Sequence, residues 1–201
     1  MLLSITGFTL GHSITLALAS LGYIQPAGEA IEALIGFTIL LVAYEALTVD
    51  EKNKYPFAFI ITLLIFILAL ISLFTGGNIN LMTWLGLVIF TFFYNILLED
   101  RKQAERLNPL ITVVFGLIHG FGFAGVLTEL GLPKDGLIVG LLGFNLGVEL
   151  GQILVISIVL IILFLLGKTY LARYKKLIYN LTGMSLIALG VFWFVGRSLG
   201  I

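Results

Sequence analysis

Apolar residues run along this chain in seven nearly unbroken stretches, at about 2–22, 30–48, 57–75, 80–98, 109–128, 138–166 and 177–197. A helix needs roughly 20 apolar residues to cross the hydrocarbon of a bilayer. Each stretch meets or approaches that length, and none shows the in-out alternation of a transmembrane barrel strand. The pattern therefore predicts an all-α, polytopic membrane protein with about seven transmembrane helices. Stop signals fall between the stretches: Gln25-Pro26, Tyr55-Pro56, Gly76-Gly77-Asn78, Asn108-Pro109 and Leu132-Pro133. The sixth stretch is longer than a perpendicular crossing needs, which predicts tilt or a projecting cytoplasmic end. The first is not read as a cleavable signal peptide, because it has no basic start and carries polar residues at its centre.

Composition agrees. Of 201 residues 60% are hydrophobic and 11% charged, where a soluble domain is about half apolar and a quarter charged. We expect one transmembrane helical domain over residues 1–201. Seven crossings put Lys52, Lys54, Arg101, Lys102, Arg106, Lys168, Arg173, Lys175 and Lys176 on one side and Lys134 and Arg197 on the other. Cytoplasmic loops carry the Lys/Arg excess, so the N-terminus is expected inside and the C-terminus outside, in the cell (inner) membrane. Eleven basic residues balance eleven acidic ones, which leaves no electrostatic case for nucleic acid. The chain has no cysteine, so disulfides, thiolate metal sites and a cysteine nucleophile are excluded. The connections are too short for a nucleotide-binding domain, and no GxxxxGK[ST] loop occurs. No internal repeat of the transporter type stands out.

Ionisable groups inside a bilayer cost several kcal/mol in most contexts and mark interiors or water-filled paths. Both histidines fall near the middle of predicted spans: His12 in FTLGHSITL and His119 in GLIHGFGFA. A third cluster, FNLGVELGQ, lies in the sixth span. There Asn145, Glu149 and Gln152 follow helical spacing and share a face. Gly143, Gly147 and Gly151 form a separate small-residue stripe suited to close backbone contact. Thr9, His12 and Ser13 share a face of the first span, and Gly116, Gly120 and Gly122 surround His119. His12, His119 and Glu149 fall at similar depth. Two imidazoles, a carboxylate and flanking amides suit a divalent first-row ion, and the same atoms can relay protons. They can equally serve as interhelical hydrogen-bonding groups. Glu32 is expected on the outer side, either at the entrance or simply as a carboxylate favoured at a helix N-terminus, whereas Glu45, Asn95 and Glu99 are expected to reach water at inner helix ends. Tyr23, Tyr55, Trp84 and Trp193 read as interfacial anchors.

The segments FTLGHSITL at 8–16, GLIHGFGFA at 116–124 and FNLGVELGQ at 144–152 resemble signature segments of the HupE/UreJ family, and Glu32 in IEALI resembles its glutamate-bearing helix start. The resemblance implies a helical membrane protein linked to hydrogenase or urease accessory systems and regarded as a nickel or cobalt permease. It would make His12, His119, Glu149 and Asn145 the metal-handling residues, with Glu32, Ser13, Gln152 and Thr9 along the pathway. In that family a preceding helix often supplies an HxxxGxDH pattern, which this chain lacks. We therefore expect either a shortened chain or a site with fewer ligands. Segment 50–108 reads as an inserted helical hairpin.

The leading expectation is a permease, not an enzyme, that carries nickel or cobalt transiently and holds no permanent cofactor. The alternatives are a membrane metal- or haem-binding enzyme or redox module, since paired histidines can ligate haem and a His/Glu set can hold catalytic zinc, and an accessory scaffold subunit for metalloenzyme maturation. Its partners would be the lipid bilayer, the metal ion, and further copies or maturation proteins.

Overall fold

The computed structural model describes residues 2–25, 27–48, 55–97, 101–129, 134–168 and 173–200. Seven α-helices occupy them: α1 (Leu2–Ser20), α2 (Gly28–Thr48), α3 (Tyr55–Thr75), α4 (Leu81–Leu97), α5 (Arg101–Glu129), α6 (Lys134–Gly167) and α7 (Lys175–Leu199). Pro26, Lys52, Lys54, Glu99 and Leu132-Pro133 lie outside the described residues, as does the side chain of Tyr55. Among the described residues Leu3–Ser20, Gly28–Thr48, Glu105–Phe123, Gly136–Gly167 and Lys175–Leu199 are long and apolar enough to cross a membrane. Phe59–Thr75 and Leu81–Leu97 are apolar but shorter.

Local chemistry accounts for several helix ends. Glu29 sits in the first turn of α2, where a carboxylate meets the positive end of the helix dipole. Pro56 follows the first residue of α3, a position whose N–H would be unpaired in any case. Gly76 closes α3 at φ +74°, as a left-handed C-cap. Asn80 caps α4 by accepting from the Thr83 amide at 2.9 Å and its hydroxyl at 3.0 Å. One expected stop fails: α5 runs through Pro109. A proline removes a single helical hydrogen bond, the one to the carbonyl four residues earlier, a loss that membrane-spanning helices tolerate. At 34 residues, α6 also exceeds its predicted bounds.

The chain forms two compact units, residues 1–26 with 109–185, and residues 27–108 with 186–201. In the first, α1 and α6 pack through Leu16 and Leu141, flanked by Ala17, Ala19, Leu137 and Phe144. Higher positions on α1 meet lower ones on α6, so the two are antiparallel. Against α5 the order is parallel: Gly7 lies by Pro109, Gly11 by Val113 and Gly120 by Thr15. Those are the directions alternate crossings demand for helices one, five and six. The contact with α5 is backbone on backbone. A Cβ on Gly11 would collide with the Val113 carbonyl, and one on Gly116 with the Phe8 carbonyl.

This corrects one expectation. Gly143, Gly147 and Gly151 of α6 have no atom within 4 Å of where a Cβ would stand. The close helix crossing is made instead by Gly7 and Gly11 against Gly116 and Gly120.

In the second unit α2 and α7 run antiparallel, with Glu32 beside Arg197 and Gly36 beside Phe194. The α3–α4 turn joins the same end. Asn78 donates its amide N–H to the Ser198 carbonyl at 3.1 Å and its side-chain Nδ2 to that of Arg197 at 3.2 Å. Burial on α3 follows Ile65, Ala69 and Ser72, and on α4 Trp84, Leu87, Thr91, Tyr94 and Asn95. Such narrow stripes are what a helix shows when its remaining faces are apolar and suited to lipid. Trp84 is therefore no interfacial anchor: it is 1% exposed and packs on Phe194 at 5.7 Å between ring centroids. Tyr23 and Trp193, in contrast, are exposed.

Candidate functional site

The polar residues singled out in the spans divide between the two units. His12, His119, Asn145, Glu149, Gln152, Thr9 and Ser13 belong to the first, and Glu32 to the second.

His12 is 1% exposed, and neither of its ring nitrogens has a hydrogen-bond partner. Its surroundings are aromatic. Phe8, one helical turn earlier on α1, stacks at 6.0 Å between centroids, and Phe144 of α6 stacks at 6.0 Å from its own side. Phe123 of α5 meets the ring edge-on at 5.4 Å and touches Phe144 at 5.6 Å. His119 joins the cluster through Phe8, whose ring lies edge-on to it at 5.2 Å. The glycine crossing explains how both histidines come to contact the one Phe8 ring. With no side chains between α1 and α5 around Gly11 and Gly116, the helices that carry the imidazoles approach to backbone contact.

Other polar atoms on the same elements are also buried without a partner: Thr9 Oγ1, Asn145 Oδ1 and Gln152 Oε1. Buried polar groups in folded proteins are nearly always hydrogen-bonded, so each exception calls for a reason. Asn145 uses its Nδ2 to donate to the Leu141 carbonyl at 2.8 Å, which leaves its oxygen free to accept. On α6, Asn145, Glu149 and Gln152 are half-buried while Leu146, Leu150, Ile153 and Leu154 are exposed, so the three share the covered face. The hydroxyls of Ser13 and Thr15 on α1 behave differently. Ser13 donates to the Thr9 carbonyl at 2.6 Å, and Thr15 to the Gly11 carbonyl at 3.2 Å. Both donate within their own helix.

Among the described residues no group of three or more His, Asp or Glu side chains is gathered closely enough to hold one ion. The geometry on offer is two imidazoles with amide and hydroxyl oxygens on adjacent helices. The carboxylate of Glu149 stands farther along α6.

Glu32 is not an isolated carboxylate at a helix start. Its Oε2 lies 2.6 Å from Arg197 Nε, with both side chains a little under half exposed. Two expectations about inner helix ends are also corrected. Asn95 is 2% exposed and donates to the Thr91 carbonyl at 2.8 Å. Glu45 accepts from the Tyr94 hydroxyl at 2.5 Å. Neither is simply solvated, because α2 and α4 pack where a lone helix end would meet water. The phenylalanine cluster went unread in the sequence, although Phe8 stands four residues before His12 and so on the same face.

The fold and this polar core define a class: a polytopic helical membrane protein with a histidine-containing interior. The HupE / UreJ protein family matches residues 1–76 and 54–197, nearly the whole chain, and the chain belongs to that family. No curated protein and no solved structure matches it.

Proposed function

We propose that this protein is a permease for a divalent transition-metal ion, nickel ahead of cobalt, in the cell (inner) membrane, with its N-terminus inside. The observation that carries the reading is His12, a fully buried imidazole with both nitrogens unpartnered, whose neighbour Phe8 also contacts the second histidine. Neutral imidazole is a good ligand for nickel and cobalt, and no thiolate is present to hold the ion permanently. A conducted ion must be bound well enough to enter and loosely enough to leave. Two imidazoles, helped by the free oxygens of Asn145, Gln152 and Thr9, suit that intermediate strength. Glu149, on the same face of α6, would hand the ion on along the membrane normal. Family membership supports a metal-related membrane role rather than catalysis.

The test is accumulation of nickel and cobalt by cells that produce wild type, His12→Ala, His119→Ala or Glu149→Gln. Uptake is expected to fall sharply in both histidine variants and partly in Glu149→Gln. Wild-type accumulation in all three, with the proteins folded in the membrane, would falsify the reading.

A further inference from the structure

An ion shared by two imidazoles needs one nitrogen of each about 2 Å away, so the rings must face each other across the ion alone. In this structure the Phe8 side chain contacts both. Phe8 stacks on His12 at 6.0 Å and sets its edge against His119 at 5.2 Å, whereas Phe123 and Phe144 are in ring contact with His12. The helix backbones have no freedom to adjust around it. Gly11 abuts Val113 and Gly116 abuts Phe8 on the main chain, so α1 and α5 cannot come closer. What can move is the phenyl ring. A long or aromatic side chain on a helix favours two χ1 wells, near 180° and −60°, and the Phe8 side chain is only partly buried.

We propose that Phe8 is the gate of the histidine site: its ring holds the two imidazoles apart at rest and rotates to the other well when an ion bridges them. The inference rests on the permease reading and adds a residue to it. In the resting rotamer the ring shields His12 from any ion approaching along α1. In the other rotamer the space between the imidazoles is released to the ion. Phe8 itself offers no ligand, so its size, not its chemistry, sets the ease of binding.

The experiment titrates the purified full chain in detergent with Co²⁺, following visible absorption, and measures cobalt uptake in parallel. Phe8→Ala is expected to bind Co²⁺ several-fold more tightly than wild type and to speed uptake, and Phe8→Trp to weaken binding and slow uptake. Phe8→Leu, apolar but narrower than phenylalanine, should move in the alanine direction and guards against a folding defect in that variant. If all three bind and transport like wild type while His12→Ala and His119→Ala lose binding, the gate is wrong and the permease stands. If wild type itself shows no histidine-dependent Co²⁺ binding or uptake, both fail together.

Discussion

Gly116 of α5 rests against the carbonyl of Phe8 on α1 with no room for a methyl group. Gly11 makes the reciprocal contact with Val113, so neither backbone can retreat without breaking the other contact. Overpacking a tight site typically costs about 1–3 kcal/mol, and here the obstacle is main chain. Gly116→Ala and Gly11→Ala should each destabilise the detergent-solubilised protein on that scale, read as a lower melting temperature. Gly147→Ala, at an open position on α6, should stay within about 0.5 kcal/mol of wild type. Equal melting temperatures for the three variants would refute the crossing.

The 2.5 Å hydrogen bond from Tyr94 to Glu45 joins α2 and α4 inside the second unit. Hydrogen bonds to charged groups contribute roughly 1.5–3 kcal/mol. Tyr94→Phe removes the donor and leaves the carboxylate short of a partner, so it should destabilise by about that amount in chemical or thermal unfolding. Glu45→Gln keeps an oxygen acceptor for the same hydroxyl and should cost less. A larger loss in Glu45→Gln than in Tyr94→Phe would show that the carboxylate serves something other than this bond.

The number of helices and their relative directions within each unit were legible because lipid imposes a length and a continuity that one dimension displays. The Glu32–Arg197 pair and the Asn78 bonds place at one end of the second unit the residues that alternate crossings assign to one side. Packing partners were not legible. The same small-residue spacing occurs at Gly7/Gly11, Gly116/Gly120 and Gly143/Gly147. Which of these meets a neighbour depends on how the helices assemble, and the most conspicuous stripe proved the open one. Trp84 misled for a related reason: an aromatic near a helix end suits the interface equally well until another helix covers it. His12 and His119 were identifiable as polar residues out of place. Their common neighbour Phe8 was not, since a phenylalanine in an apolar span carries no signal of its own.

The Glu32–Arg197 ion pair is half in solvent, and exposed pairs contribute about 0–1 kcal/mol. Arg197→Gln should therefore change thermal stability little, and a double-mutant cycle with Glu32→Gln should return a coupling within that range that shrinks as salt rises. If Glu32 receives incoming ions, freeing it from Arg197 should lower the KM for nickel uptake while Glu32→Gln raises it. Identical KM values in the two variants would remove Glu32 from the pathway and leave it a connector between α2 and α7.

The sharpest separation of function from stability lies at His12. Its two nitrogens are buried without partners in a box of Phe8, Phe123 and Phe144, and burying an unsatisfied polar group costs about 1–3 kcal/mol. An aromatic hydrocarbon in the same place would not incur that cost. His12→Phe should thus melt at or above the wild-type temperature, by up to about 2 kcal/mol of added stability, while losing metal binding and uptake. That is the trade expected of a residue retained for its chemistry rather than its packing. His12→Phe together with His12→Leu, closer to histidine in volume, melting well below wild type would show that an imidazole nitrogen holds a structural partner, and His12 would then belong to the scaffold rather than to the ion's path.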